Sequence, residues 1–226
     1  PRKGDTAVDA EAAFEDLKGD QRELIAEGRL PFEREISVLV ARSNKGEIHC
    51  FPVVENVHEA GILASSLVPA RISEDLNQKA RSIATQIAQG LQLHGMLAVE
   101  MFVMPDGQLL VNELAPRHHN SGHYTQDGTN VSQFEQHLRA ICGWPLREPK
   151  LHSPTVMLNL LGEHIPALQA WYVGLPAEAH LHWYGKAEAR PGRKMAHLNL
   201  CAASLGEALE KLEKWKLRFF PKGTYT

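Results

Sequence analysis

The segment from Met96 to His123 constrains the fold most, because it predicts two strands joined by a tight turn. Apolar residues dominate 96–103 and 108–114, and the turn residues Pro105-Asp106-Gly107 lie between them. Proline presets one backbone angle of a turn, and glycine tolerates the positive φ that many turns require. The segment therefore predicts an antiparallel hairpin around which the chain is organised.

This hairpin brings two glutamates together. A loop of residues 105–108 makes Met104 face Leu109, and counting back from there pairs Glu100 with Glu113. Directly opposed residues have Cβ atoms about 4.5–5.5 Å apart, so two carboxylates there repel each other unless a cation lies between them. Magnesium is typically held by one or two carboxylates together with phosphate oxygens. The pair predicts a magnesium site, and two solvated glutamates on an outer face are the alternative.

A polar segment rich in anion-binding groups, residues 117–123, follows the hairpin. The planar guanidinium of Arg117 suits phosphate, because it can donate two parallel hydrogen bonds. Asn120 and its neighbours supply side-chain and backbone donors for a small anion. His123 is a candidate for proton transfer only because imidazole titrates near neutral pH. We therefore expect an anion-binding loop that contains Arg117, Asn120 and His123.

The composition is that of an ordinary soluble protein. The 226 residues are 43% hydrophobic and 23% charged, and a net charge of -3 gives no reason to propose nucleic acid as a partner. No apolar run approaches the roughly 20 residues of a membrane span. Cys50, Cys142 and Cys201 are far apart, as expected of reduced thiols in a cytoplasmic protein.

Periodicity and turn residues predict the other elements. Helices are expected at 10–18, 73–93 and 129–142, and strands at 23–26, 35–43, 47–53, 155–160, 179–183 and 196–200. Asp9 is the expected N-cap of the first helix. The helix at 129–142 is expected to turn Phe134, Leu138 and Ile141 inward, and residues 52–63 are expected to form an irregular loop.

Two stretches carry a resemblance to a known family. NELAPRHHNSGHYTQDGTNVSQFEQHLRAICGWPL at 112–146 and HLHWYGKAEARPGRKMAHLNL at 180–200 resemble 5-(carboxyamino)imidazole ribonucleotide synthase. That enzyme is an ATP-grasp ligase of purine biosynthesis. The resemblance implies an α+β fold, in which an ATP-grasp sheet with packed helices is followed by a small β-rich C-terminal domain. It also implies that the N-terminal domain of the full enzyme is missing from this chain.

The resemblance also divides the chain and assigns sites. It implies a remnant of the small lobe and hinge at 1–30, the large lobe at 31–146 and the C-terminal domain at 147–226. It implies that Glu100 and Glu113 hold Mg²⁺. It implies that Arg117, Asn120 and His123 are catalytic. It also implies that Lys186 and Arg193 bind the phosphate of the substrate, although a solvated charged loop is the alternative for these two. The ATP-binding residues that it implies are Lys3, Gly4, Glu27, Leu30, Glu35, His58 and Asn112.

The activity implied by the resemblance is carboxylation of the amine of 5-aminoimidazole ribonucleotide, with ATP and bicarbonate as co-substrates and carboxyphosphate as intermediate. The implied cofactors are ATP and Mg²⁺, and a cytoplasmic homodimer without nucleic-acid or membrane partners is expected. One alternative is another ATP-grasp ligase, such as the formate-dependent glycinamide ribonucleotide transformylase. The other is a non-catalytic module that binds nucleotide or serves in assembly.

Overall fold

The computed structural model describes residues 6–171, 174–175 and 177–219, and it divides into two compact units, 1–31 and 32–226. In the first unit, α1 (Ala7–Asp16) begins at the N-cap Thr6, whose Oγ1 accepts a hydrogen bond from the Asp9 backbone. The predicted N-cap at Asp9 is therefore wrong, because this carboxylate occupies the third helical position of a capping box. The strand predicted at 23–26 is also wrong, since these residues are irregular and pair with no strand.

The second unit contains one nine-stranded sheet in which every described ladder is antiparallel. Its order is β6-β5-β1-β3-β4-β7-β9-β8, with β2 paired to β1. The strands are β1 (Arg34–Arg42), β2 (Ile48–Cys50), β3 (Val54–Glu59), β4 (Ile62–Val68), β5 (Gly95–Val103), β6 (Leu109–Ala115), β7 (Thr155–Leu161), β8 (Ala179–Trp183) and β9 (Lys194–Cys201). The expected α+β class is confirmed.

The segment expected to be an irregular loop, 52–63, contains β3 and the start of β4. The prediction is wrong because these strands form a hairpin, whose turn places Ala60 and Gly61 at φ 49° and 77°. The short run of apolar residues at 52–54 gives little sign of a strand. Pairing with β1 on one side and β7 on the other supplies the backbone hydrogen bonds that stabilise it.

Helices cover the sheet. The helices of the second unit are α2 (Glu74–Gly90), α3 (Thr125–Gly128), α4 (Gln133–Ile141), α5 (Ile165–Trp171) and α6 (Leu205–Phe219). Ser73 caps α2 through its hydroxyl, and small residues on one stripe of this helix pack close to β1 and β5. These residues are Ala80, Ala84 and Ala88.

The orientation predicted for α4 is wrong at Leu138 and Ile141, whereas Phe134 is half-buried and stacks on His118 and His123. Leu138 and Ile141 are 53% and 47% exposed, whereas the buried residues of this helix are Gln133, Gln136 and Ala140. The helix buries polar side chains because it packs on loops whose backbone groups need hydrogen-bond partners. Hydrophobic periodicity cannot show such a face.

The C-terminal strands extend the same sheet. β7 pairs with β4, and β9 then pairs with β7 and β8. A hydrophobic cluster of β7, β9 and α6 includes Leu158, Leu198 and Leu212. The predicted domain division at residue 147 stays a prediction. Among the described residues, no helix is long and apolar enough to cross a membrane.

Candidate active site

A cleft of about 270 Å³ opens where the ends of several strands meet the segment after β6. It is lined by His58, Gly61, Ile62, Leu63, Glu100, Glu113, His119, Asn120, Gly192 and Lys194. Carboxylates and cationic or imidazole groups therefore share one small space.

The two glutamates lie opposite each other, as predicted, although the register of the ladder next to the turn differs from the predicted one. Val103, and not Met104, faces Leu109, because Met104 closes the turn through a backbone hydrogen bond to Gln108. A β-bulge then adds one residue to β6, which restores the pairing of Glu100 with Glu113. The inserted residue is Asn112, which is exposed. Without this bulge, Glu100 would pair with the bulged residue.

Burial raises the pKa of Glu100 above its usual value, and the charges of Glu113 and Glu35 raise it further. Two facing carboxylates, one of them half-buried, suit a divalent cation, whose charge would remove their repulsion. No group of three or more His, Cys, Asp or Glu side chains in the described ranges could hold a metal. A cation here would therefore take oxygens from the two glutamates and from a bound phosphate, as Mg²⁺ does with nucleotides.

His119 contacts Glu100 at the end of a buried chain of hydrogen bonds. Asn56 Nδ2 donates to Ser37 Oγ over 3.0 Å, and Ser37 Oγ donates to Ser121 Oγ over 2.8 Å. Ser121 then contacts His119 Nδ1 through Oγ at 2.9 Å and through its backbone N–H at 3.4 Å. A backbone N–H only donates, so Nδ1 accepts and the neutral ring keeps its proton on Nε2. This Nε2 lies 3.2 Å from Glu100 Oε1.

Two predicted anion-binding residues of the segment after β6, Asn120 and Arg117, occupy different environments. Asn120 lines the cleft, and both polar atoms of its amide are buried without a hydrogen-bond partner in the described structure. Burying such a group costs free energy unless a ligand supplies its hydrogen-bond partners. Arg117 is exposed, and its Nη1 donates to the His118 carbonyl over 3.0 Å. Asn120 is therefore ready for a ligand within the cleft, while Arg117 lies at the surface.

His119 and His123 are neutral near pH 7. Burial lowers the pKa of both His119 and His123 to about 4, and the charge of Lys194 contributes to both shifts. His123 stacks on His197, with ring centroids 4.6 Å apart. His58, which lines the cleft, has Nδ1 2.5 Å from Glu35 Oε2. The structure thus brings together two residues predicted for nucleotide binding, His58 and Glu35.

Lys194 is a cleft residue that the sequence analysis did not single out. A β-bulge in β9, beside Leu161, inserts Met195 and turns both Met195 and Ala196 toward the hydrophobic cluster. Lys194 is thereby directed into the cleft, where burial lowers its pKa. The preceding charged run suggested a cationic site, but periodicity could not identify which of its residues enters the cleft.

The two residues predicted to bind the substrate phosphate are exposed and are held by backbone carbonyls. Lys186 Nζ donates to the Lys194 carbonyl over 2.6 Å, and Arg193 Nη1 donates to the Glu188 carbonyl over 3.1 Å. Their predicted role stays a prediction.

Four predicted nucleotide-binding residues belong to the first unit. Lys3 and Gly4 lie outside the described residues. Glu27 and Leu30 are exposed in the irregular segment that follows α1. Their predicted contacts with ATP therefore stay predictions.

Comparison with known proteins places both parts of the sheet in known families. The ATP-grasp domain model matches residues 4–134, and the phosphoribosylaminoimidazole carboxylase C-terminal domain model matches residues 155–211. The N5-carboxyaminoimidazole ribonucleotide synthase of Bacillus subtilis strain 168 is 45% identical over 219 residues, which is 96% of this chain and 57% of the relative. The synthase of Escherichia coli K12 is 42% identical and matches 84% of this chain and 52% of its own length.

Solved structures agree with these relatives. An ADP complex of N5-carboxyaminoimidazole ribonucleotide synthetase is 48% identical with a TM-score of 0.89, and the match covers 94% of this chain and 56% of that one. The Aspergillus clavatus enzyme in complex with ADP and 5-aminoimidazole ribonucleotide is 36% identical with a TM-score of 0.86, over 92% of this chain and 56% of that one. The chain spans about half the length of the curated relatives that it matches.

Proposed function

Because the chain belongs to the ATP-grasp family and its relatives are N5-carboxyaminoimidazole ribonucleotide synthases, we propose that the protein carboxylates the amine of 5-aminoimidazole ribonucleotide. The co-substrates are ATP and bicarbonate, and the products are 5-(carboxyamino)imidazole ribonucleotide, ADP and phosphate. The observation that carries this proposal is the pairing of Glu100 with Glu113 at the edge of a cleft that also holds Lys194 and Asn120.

The reaction requires bicarbonate to be activated, because it is a poor electrophile. An oxygen of bicarbonate takes the γ-phosphoryl group of ATP, so ADP leaves and carboxyphosphate forms. The amine then attacks the carboxyl carbon, phosphate leaves and the amine gives up one proton. Phosphoryl transfer depends mainly on positioning and on neutralising the charge of the phosphoryl oxygens.

The chain supplies groups for these tasks. Glu100 and Glu113 would hold Mg²⁺, which when bound would offset the negative charge of the phosphate oxygens. Lys194 and Arg117 add positive charge beside the transferring group. Asn120 donates hydrogen bonds to the anionic oxygens of bicarbonate or carboxyphosphate. The Nε2–H of His119 faces Glu100 Oε1 and positions that carboxylate.

Several parts of the proposal rest on the resemblance. Glu35 and His58 contact the nucleotide, which is supported by the position of His58 in the cleft wall and by its contact with Glu35. By resemblance, Lys3, Gly4, Glu27, Leu30 and Asn112 are proposed as further ATP-binding residues, and Lys186 and Arg193 as ligands of the ribonucleotide phosphate. We also propose Mg²⁺ as the cation, the homodimer as the assembly and the cytoplasm as the location.

The proposal is tested by measuring ADP release with bicarbonate and 5-aminoimidazole ribonucleotide, in parallel with formate and glycinamide ribonucleotide. We expect release only with the first pair. Isothermal titration with Mg-ADP should give heat for the wild type and for Glu148→Ala, an exposed carboxylate outside the cleft. Glu113→Ala should give no heat of Mg-ADP binding. Equal binding by all three proteins, or turnover with formate, would contradict the proposal.

A further inference from the structure

Gln133 contacts His119 and His123 of the segment after β6, although it lies outside the cleft lining. It is the first residue of α4 and is completely buried. Its Oε1 accepts a hydrogen bond from the His119 backbone N–H over 3.0 Å. Its Nε2 donates to the His119 carbonyl over 2.9 Å and lies 3.1 Å from His123 Nδ1. One side-chain amide thus connects two histidines that are four positions apart.

The orientation of this amide is determined by chemistry. The backbone of His119 offers one group that only donates and one that only accepts, so the oxygen of Gln133 must face the first and the nitrogen the second. The second hydrogen on Nε2 then points to His123 Nδ1. That nitrogen has to accept, and the neutral His123 ring keeps its proton on Nε2.

We propose that Gln133 is a positioning residue that makes His123 a hydrogen-bond donor through Nε2, and so excludes it as a general base. An imidazole whose Nδ1 lone pair is occupied and whose Nε2 carries hydrogen can donate to an anionic oxygen but cannot remove a proton. This inference rests on the proposed function and on the contact predicted for His123 with bicarbonate or carboxyphosphate, since His123 is not among the residues that line the described cleft.

The surroundings of His123 favour the neutral donor. Its ring lies between Phe134 and His197, with centroid distances of 5.8 and 4.6 Å. The titratable groups that face it are His118, His119, His182, Tyr184, Lys194 and His197. None of these is a carboxylate that would favour an imidazolium. Burial, followed by the charges of His119 and Lys194, lowers the pKa of His123 to about 4.

The wild-type protein provides the first test. In ¹⁵N NMR of the full chain with labelled histidine, we expect the His123 ring to show a protonated Nε2 and an unprotonated Nδ1 at pH 7. Loss of these signals in His123→Asn assigns them. A wild-type His123 with its proton on Nδ1, or fully protonated at pH 7, would overturn the proposal whether or not the chain turns over.

The variant Gln133→Glu tests whether the amide of Gln133 sets the tautomer of His123, because glutamate has nearly the same shape as glutamine but lacks the N–H donor. A carboxylate can accept from the His119 backbone but cannot donate to His123, so Nδ1 should take up the proton and the pKa of His123 should rise. We expect kcat to fall about 100-fold, which is typical for loss of one donor to a developing anion. The pH–rate profile should acquire the new ionisation of His123.

Gln136→Glu is the matched control. Gln136 is also buried on α4, and its amide bridges the backbone N–H and carbonyl of Arg147 as Gln133 bridges those of His119, but it contacts no imidazole. Its variant should keep the wild-type tautomer and pH profile despite a similar cost in stability. An unchanged His123 signal in Gln133→Glu, or the same change in both variants, would overturn the positioning role. Absence of wild-type turnover would count against the proposed function alone.

Discussion

Replacing Glu113 by glutamine is expected to stabilise the ligand-free protein and to weaken its binding of Mg-ADP. Glu113 lies directly opposite Glu100, and its charge helps to raise the pKa of that carboxylate. Glutamine keeps the shape of the side chain and removes the repulsion. The same change removes one of the two anionic oxygen donors proposed for Mg²⁺.

The magnitudes follow from the position of the pair. Like charges directly opposite each other on a ladder are expected to cost about 0.2–1 kcal/mol. Exposure of Glu113 to solvent favours the lower half of this range. Because the folded protein raises the pKa of Glu100, this group contributes stability at low pH that is lost as pH rises through its folded pKa. The advantage of Glu113→Gln should therefore exist at pH 7 and disappear in acid, where Glu100 is protonated.

Urea denaturation with and without Mg-ADP measures both effects. A ligand at 100 times its Kd stabilises the folded state by about 2.7 kcal/mol. When Mg-ADP is present at 100 times the wild-type Kd, Glu113→Gln should be stabilised by less than the wild type. The variant should therefore be the more stable protein without ligand and the less stable one with it. Glu148→Gln should change the free energy of unfolding by no more than about 0.5 kcal/mol, both with and without Mg-ADP. A variant that is less stable without ligand and equally stabilised by Mg-ADP would refute the reasoning.

Two further predictions concern groups that support the site. Gly122→Ala should lower the free energy of unfolding by about 1–3 kcal/mol and weaken Mg-ADP binding, because a Cβ there would collide with Leu39 Cδ2 and lie 2.5 Å from Gln133 Oε1. Denaturation and titration measure this. Gly90→Ala, where a Cβ meets nothing within 4 Å, should not destabilise, and equal loss in both would contradict the steric account. Glu55→Gln should lose about 1–3 kcal/mol at pH 7. Burial opposes ionisation of Glu55, but its contacts with Arg71 hold its pKa below the usual value. The difference from wild type should therefore shrink as pH falls through that pKa, and a pH-independent difference in denaturation would be inconsistent with this cause.

The elements that depend on neighbouring residues could be predicted from the sequence. The turn at 105–107 and the flanking apolar runs predict the β5–β6 hairpin, and the periodicity after Ser73 predicts α2. The resemblance of 112–146 and 180–200 identified the family and its expected activity. These features are visible because turn chemistry, capping and periodicity act over a few residues.

Elements that depend on distant partners were mispredicted. The strands β3 and β4 show weak patterning of their own and are stabilised by β1 and β7. The buried face of α4 is polar because it satisfies the backbone of other segments, among them His119. Hydrophobic periodicity assigns the apolar residues of a helix to its buried face, and for Leu138 and Ile141 of α4 this assignment is wrong.

The amino-acid sequence by itself determined which groups are available to the cleft, namely the two glutamates, the segment after β6 and the charged run before β9. The tertiary structure alone decided which of them meet. Bulges lie beside three cleft residues, His58, Glu113 and Lys194, and each shifts the register of a ladder by one residue. Successive strand residues point to opposite faces, so one inserted residue changes which side chain enters the cleft. Where that residue is inserted depends on packing between strands that are distant in the chain.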